Sequence, residues 1–214
     1  MKHVLCFGDS NTWGFVPQSG LRYDEHTRWT GVLSDLLGKD WCIHEDGLNA
    51  RTSVYPVSFK PFLNGLETFP AALVSQKPLD VLVLSLGTND LKYVSAARSA
   101  DGVAQLVLMA KSFDARYPAG LSVFPNGPKN LVISPIQIGS GLPEHNPDSD
   151  LAHAVHESTL FPQKFAAMCS NQQVELLDAQ QFATPSPVDH IHMSPESHRR
   201  LAEAVAEKLR QMMK

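Results

Sequence analysis

Ser10 stands in the stretch Phe7-Gly-Asp-Ser-Asn-Thr-Trp-Gly14, directly after an apolar run. A serine there can cap a helix, finish a turn or attack a carbonyl, and its hydroxyl stays a weak nucleophile until a neighbouring base takes its proton. The candidate base lies near the other end of the chain, in Val188-Asp-His-Ile-His-Met-Ser194. With His192 on the loop entering a helix, Asp189 three residues earlier can curl back and accept a hydrogen bond from the imidazole. One ring nitrogen then takes the serine proton while the carboxylate fixes the tautomer and orientation of the other. His190 competes as base, but it lies one residue from Asp189 and points elsewhere if the segment is extended. Asn89, in Gly87-Thr-Asn-Asp90, either forms a turn or donates its side-chain amide to a developing alkoxide. The backbone N–H groups of "EDGLNARTS", residues 45–53, are further candidate donors.

Trp13 and Phe15, just past the serine, and Ile191, between the two histidines, are candidates to line an acyl or alcohol pocket, with core packing as the alternative. Two histidine pairs invite a metal reading: His190 with His192, and His153 with His156 on an expected helix. Neither has a third and fourth ligand nearby in the sequence, so the expectation is no metal and no other cofactor. Cys6, Cys42 and Cys169 form no metal spacing and read as buried small hydrophobes.

These groups need a scaffold that gathers distant segments. Short apolar runs at Val4 to Phe7, Trp41 to His44, Val81 to Leu86, Leu131 to Ser134 and Val174 to Leu177 predict five strands. Between them, Trp29, Val32, Leu33, Leu36 and Leu37 have the helical repeat, with Gly38 as its stop, and Val103, Leu106, Val107, Ala110 and Phe113 repeat likewise. A weaker helical pattern covers about 151–170. Ser194-Pro195-Glu196 opens the clearest helix, whose buried face carries Leu201, Ala204, Val205, Leu209 and Met212. Alternation of this kind predicts a parallel sheet with crossover helices, and loops leaving the carboxyl ends of its strands surround the ligand crevice. Stretches 54–65 and 136–150 therefore read as substrate walls, and 117–130 as a surface excursion.

The 214 residues, 43% hydrophobic and 19% charged, suit one α/β domain spanning 1–214. A net charge of −4 with interspersed signs offers no basic stripe for nucleic acid. No run reaches the length of a membrane span and the first apolar stretch is too short for a signal peptide, so a cytoplasmic protein without a membrane partner is expected.

"FGDSNTWG", "GLNARTS", "LGTND" and "DHIH", in this order, resemble the four blocks of the SGNH (GDSL-type) hydrolases, and "RWTGVL" with "GLNARTS" is most similar to the arylesterase and acyltransferase branch. The resemblance implies a three-layer α/β/α sandwich of flavodoxin-like character with a five-stranded parallel sheet. It implies Ser10 as nucleophile, His192 as base, Asp189 as its orienting acid, and an oxyanion hole from the Ser10 amide, the Ala50 amide and the Asn89 side chain. The expected activity is a serine esterase on small carboxylic esters, with acyl transfer to an alcohol, a carbohydrate O-deacetylase and a non-catalytic acyl- or carbohydrate-binding domain left open. The related branch tends to form homo-oligomers. Two departures matter: Asn11 replaces the signature's usual leucine, a change expected in the pocket lining, and Ala50 falls where the family has its donor glycine. A backbone N–H survives that exchange if the local φ is negative or the strain is tolerated. Gly47 reads as a turn residue.

Overall fold

The computed structural model describes residues 1–117 and 120–214. Its strands are β1 (Lys2–Gly8), β2 (Trp41–Gly47), β3 (Val81–Ser85), β4 (Lys129–Ser134) and β5 (Glu175–Asp178), all parallel in the order β2-β1-β3-β4-β5. Among the described residues the α-helices are α1 (Ser10–Trp13), α2 (Trp29–Leu37), α3 (Gly65–Gln76), α4 (Ala96–Arg116), α5 (Leu142–His145), α6 (Val155–Ser158), α7 (Phe161–Gln172) and α8 (Pro195–Met212). A sheet covered on both faces needs apolar side chains on both, which is why its central strands read as continuous hydrophobic runs. In β1, Val4 and Cys6 join Trp29, Val32 and Leu33 of α2 and Leu201, Val205 and Leu209 of α8. Leu5 and Phe7 point the other way, into a cluster with Phe69 and Leu73 of α3, Val103 and Leu106 of α4, and Phe161 and Phe165 of α7. The result is the expected three-layer α/β/α sandwich.

Local differences from the expectations have physical causes. Helix α3 was not foreseen: it begins where the proline- and glycine-rich stretch 54–65 ends, and Pro70 interrupts its interior. Asn64 caps it by accepting from the Leu66 amide. The helix expected over 151–170 is broken into a 3₁₀ turn (Ala152–Ala154), α6 and α7, because Pro162, lacking an N–H, starts a new helix more readily than it continues one. Of the stretch 117–130, residues 118 and 119 lie outside the described residues. Cys6 and Cys169 are buried, and burial pushes the Cys169 thiol up to about 12. Cys42 differs, being half-buried on the edge strand.

The two helices on the α2/α8 face are joined at the start of α2 by a buried side chain. His198 of α8 is wholly buried, and its Nδ1 accepts from the Trp29 amide at 3.2 Å, satisfying an otherwise unpaired N–H at the start of α2. Burial, reinforced by the charge of His192, pushes its pKa from 6.5 down to about 3. Between those values the unfolded chain takes a proton that the native state refuses, so this group stabilises the fold above about pH 6.5 and the contribution is lost as pH falls toward 3. His198→Gln keeps an acceptor for Trp29 but cannot titrate. Thermal melts should show it less stable than the parent at pH 7, with the gap in Tm narrowing by pH 4; a constant gap would mean that His198 does not stay neutral in the fold.

Candidate active site

Ser10 reaches the sheet edge because β1 ends at Gly8 and the chain turns at once into α1. Asp9 caps that single helical turn, its Oδ1 accepting from the Asn11 amide at 3.0 Å, and Gly14 closes it with φ of 89°. The turn sits so close to the sheet that two neighbours must lack side chains. A Cβ on Gly8 would meet Thr12 Oγ1 at 2.0 Å, and one on Gly47 would meet the Trp13 nitrogen at 2.2 Å. Gly47 is thus the last residue of β2, required by close approach, and not the turn residue expected.

Residues 186–194 bring the histidine to the serine. A compact loop is closed by Ser186 N–H to His192 O at 2.7 Å and His190 N–H to Ser186 O at 2.8 Å. Asp189 organises its tip: Oδ1 accepts from the amides of Ile191 (3.0 Å) and His192 (2.9 Å), and Oδ2 pairs with His192 Nδ1 at 2.7 Å. His192 Nε2 then lies 2.9 Å from Ser10 Oγ. Burial works to raise the Asp189 pKa, but the hydrogen bonds from the His192 ring and amide and from the Ile191 amide outweigh it and hold the carboxyl below its ordinary value. The Phe15 ring stacks on the imidazole, centroids 4.3 Å apart. His190 adopts φ of 60° and packs its ring over Gly139 and Gly141, away from Ser10.

The third part of the site comes from the ends of β2 and β3. Asn89 is buried, and its Nδ2 donates to Arg51 O at 3.2 Å, which orients the amide and leaves it a second N–H. Asp90, next along, accepts from the Ser53 amide (2.8 Å), Ser53 Oγ (2.7 Å) and Ser99 Oγ (2.9 Å), locking the two loops together. Burial nevertheless pushes its carboxyl up to about 7. Ala50 has φ of 63°, so the strain allowed for in the sequence is present. Among the described residues, neither the Ser10 nor the Ala50 amide is used in the turn and cap hydrogen bonds around it.

Ser10, Phe15, Asn49, Ala50, Asn89 and His192 meet at a cavity of about 270 Å³, whose walls also include Ile191, Leu151 and Lys92. Phe15 and Ile191 therefore stand where pocket residues were expected. Asn11 and Trp13 do not. Asn11 turns beneath the site and accepts from the Met193 amide at 3.0 Å, stapling the Ser10 turn to the histidine loop. Trp13 lies outside the cavity with Arg22 over its ring. Of the stretches read as substrate walls, 136–150 contributes Ser149 and Asp150, and 54–65 contributes nothing. His153 Nε2 lies 3.2 Å from Leu91 O, and its pairing with His156 gathers no further ligand among the described residues.

Sequence reasoning missed Arg51. Its guanidinium, buried over the Phe7 ring at 4.0 Å, donates from Nη1 to Gly8 O (3.0 Å) and Asp46 O (2.6 Å) and from Nη2 to Asp46 Oδ1 (2.7 Å). It does not line the cavity at Ser10, and the only signal in the sequence was an arginine four residues past the end of β2. A larger open depression of about 620 Å³, lined by Glu25, His26, Asp35, His44 and Gln76 among others, lies along β2 and contains none of the groups gathered at Ser10.

The family model for GDSL-like lipase/acylhydrolase matches residues 4–205. No curated protein sequence matches the chain. Among solved structures, the aryl esterase of M. smegmatis is 33% identical with a TM-score of 0.89, over 99% of this chain and 100% of that one. Est24, a carbohydrate acetylesterase from Sinorhizobium meliloti, is 31% identical with a TM-score of 0.91, over 99% and 100%. A lipase/acylhydrolase from Enterococcus faecalis, 14% identical with a TM-score of 0.69 over 99% and 96%, shares the fold alone. With its α/β/α sandwich and a serine, histidine and aspartate in line at the carboxyl edge of the sheet, the chain belongs to the GDSL-like lipase/acylhydrolase family and is an ester-hydrolysing serine hydrolase.

Proposed function

We propose that Ser10 is the nucleophile, His192 the general base and acid, and Asp189 the group that holds the imidazole, in the hydrolysis of small carboxylic esters through an acyl-serine. The observation that carries this reading is the unbroken line from Asp189 Oδ2 to His192 Nδ1 at 2.7 Å and from His192 Nε2 to Ser10 Oγ at 2.9 Å. With Nδ1–H donated to the carboxylate, Nε2 presents a lone pair to the hydroxyl. As Ser10 Oγ bonds to the ester carbon, its proton passes to Nε2 and the carbonyl π pair moves onto oxygen. The amides of Ser10 and Ala50 and the free N–H of Asn89 Nδ2 hold that oxyanion. Collapse expels the alcohol, which leaves with the proton from His192. Water then repeats the sequence on the acyl-enzyme; an alcohol entering instead gives acyl transfer. The stacked Phe15 ring favours the transient imidazolium.

The cavity favours short acyl groups, since about 270 Å³ lies below the roughly 300 to 1,000 Å³ of sites for drug-sized ligands. Its walls are unlike: Phe15, Leu151 and Ile191 on one hand, Asn49, Thr88, Lys92, Ser149 and Asp150 on the other. The polar wall and the likeness to Est24, a carbohydrate acetylesterase, favour a second reading, in which the substrate is an acetylated carbohydrate that hydrogen bonds to the side-chain amide of Asn49 on the cavity wall.

Arg51 acts here as a positioning residue. It holds Gly8 just before the nucleophile turn, while its own carbonyl orients Asn89.

Four measurements test these roles. A fluorophosphonate should label the parent and not Ser10→Ala, and Asn89→Ala should lose roughly 100- to 1,000-fold in kcat; labelling of Ser10→Ala, or an unchanged kcat, removes that residue from the reaction. Arg51→Met should lower kcat by about 100-fold with little change in KM, the signature of displaced reacting groups, and Arg51→Lys should recover part of it. A loss confined to KM would make Arg51 a binding residue. Asn49→Ala should cost an acetylated sugar about 3- to 10-fold in kcat/KM, the value of one hydrogen bond, and leave an aryl acetate unaffected. An equal effect on both substrates would remove the carbohydrate reading.

A further inference from the structure

At the opposite edge of the sheet from Ser10, three side chains with metal-ligating atoms converge. β1 pairs with β2 in parallel so that His3 stands beside Cys42 and Leu5 beside His44. Side chains alternate along a strand, so Cys42 and His44 share a face of β2, and the register puts His3 on that same face. Their ligating atoms all lie within 4.8 Å of one another. The two imidazoles meet nitrogen to nitrogen, His3 Nδ1 at 3.2 Å from His44 Nε2. Two nitrogens bound at about 2.0 to 2.1 Å to one tetrahedral ion stand about 3.3 Å apart, so this spacing is that of two corners of a zinc tetrahedron.

The surroundings hold the group in place and leave a way in. Both backbone groups of His3 are fixed by Asp80, whose carboxylate accepts from the His3 amide at 2.8 Å and whose own amide donates to His3 O at 2.8 Å. The Gln76 side chain, at the end of α3, hydrogen bonds to His44. His44 and Gln76 line the open depression of about 620 Å³ along β2, which gives an ion and its water access. Cys42 is an unpaired thiol, half-buried.

We propose that His3, Cys42 and His44 form a binding site for a single divalent transition-metal ion of the zinc type, with water or a ligand from solution at the fourth position. Two imidazoles and one thiolate suit zinc and cobalt and not magnesium or calcium. On binding, the proton shared between the two facing nitrogens gives way to the ion. Each ring stays neutral with its proton on the nitrogen that does not face the metal, and the thiol releases its proton to solvent as the sulfur–metal bond forms. The ion cross-links the first strand to the edge strand. It has no part in ester chemistry, since five steps along the strand at about 3.3 Å each separate His3 from Gly8.

The test uses the full chain stripped with a chelator. Calorimetric titration with zinc should give one ion per chain, Tm should rise with zinc concentration, and cobalt should produce a thiolate charge-transfer band with visible d–d bands typical of a tetrahedral site. Cys42→Ser should abolish the charge-transfer band and weaken zinc binding by more than about 10-fold, as should His3→Gln and His44→Gln. Aryl acetate turnover should be unchanged by zinc and by Cys42→Ser. The proposal is overturned if the parent binds zinc no more tightly than these variants, if cobalt gives no thiolate band, or if zinc instead inhibits turnover with equal potency in parent and Cys42→Ser, which would put the ion on His192. Because three separate variants and the cobalt spectrum of the parent each report, misfolding of any one substitution leaves the answer readable.

Discussion

Arg51 sets a guanidinium beneath the catalytic edge of the sheet, with only 4% of the residue exposed. Burial alone works against its charge, and the Asp46 carboxylate works for it. The cost of holding a cation there is offset because its Nη atoms meet Gly8 O, Asp46 O and Asp46 Oδ1 and its plane lies over Phe7. Those partners are the end of β1 and the end of β2, the two chain segments that must be in register for Ser10 and Ala50 to face one point. The Arg51 carbonyl adds the third segment by accepting from Asn89. A point charge on a flexible stem could neutralise Asp46, but it could not span carbonyls and a carboxylate in a fixed fork. The strained φ of Ala50, one residue earlier, is tolerated for the same reason: a non-glycine residue in the left-handed region persists where the surrounding bonds over-determine the turn.

Three aspartates near the site show how environment sorts one residue type into different tasks. Asp9 and Asp90 are buried with raised pKa values, about 6 and about 7, burial being the largest cause in each. Both serve as fasteners, Asp9 capping α1 and Asp90 bridging Ser53 and Ser99. A carboxyl in that role works in either protonation state. Asp189 meets two backbone amides and an imidazole, and its pKa moves the other way. A carboxyl held below its ordinary value is an anion at neutral pH, which is what the role proposed for it beside His192 requires. The difference lies in how deeply each carboxyl is buried and in the imidazole that only Asp189 has as a partner, since Asp90 and Asp189 each accept from three donors.

The fold was legible because its signal is additive over many residues. Alternating apolar runs and helical periods give strands and crossovers even when single boundaries move, as β5 does by one residue at each end. Ser10, Asp189, His192 and Asn89 could be singled out because each sits just past a strand or just before a helix, where the parallel topology gathers function. What remained hidden depends on side-chain direction. Nothing in "DSNTW" says that Asn11 points down to Met193 while Phe15 turns back over the imidazole. Arg51 could be a surface cation as far as composition is concerned. Helix α3 escaped because Pro70 breaks the pattern that would announce it, although packing of Phe69 and Leu73 overrides that local cost.

Parallel register explains both what the sheet builds at its carboxyl edge and what it places at the other. Residues neighbouring across β1 and β2 are separated in sequence by the whole of α2, so ligand spacing along the chain is silent about them. His3, Cys42 and His44 carry no recognisable motif, yet one register fixes all three on one face. The same register, followed to the other end of the strands, sets Gly8 beside Gly47 and lets α1 lie close enough to the sheet for Ser10 to meet His192. A slip of one residue between β1 and β2 would turn every side chain of β2 to the opposite face. It would part His3 from Cys42 and drive a side chain into the turn that carries Ser10. The integrity of one pairing therefore underlies the chemistry at one edge and the clustering at the other, although the two groups of residues never touch.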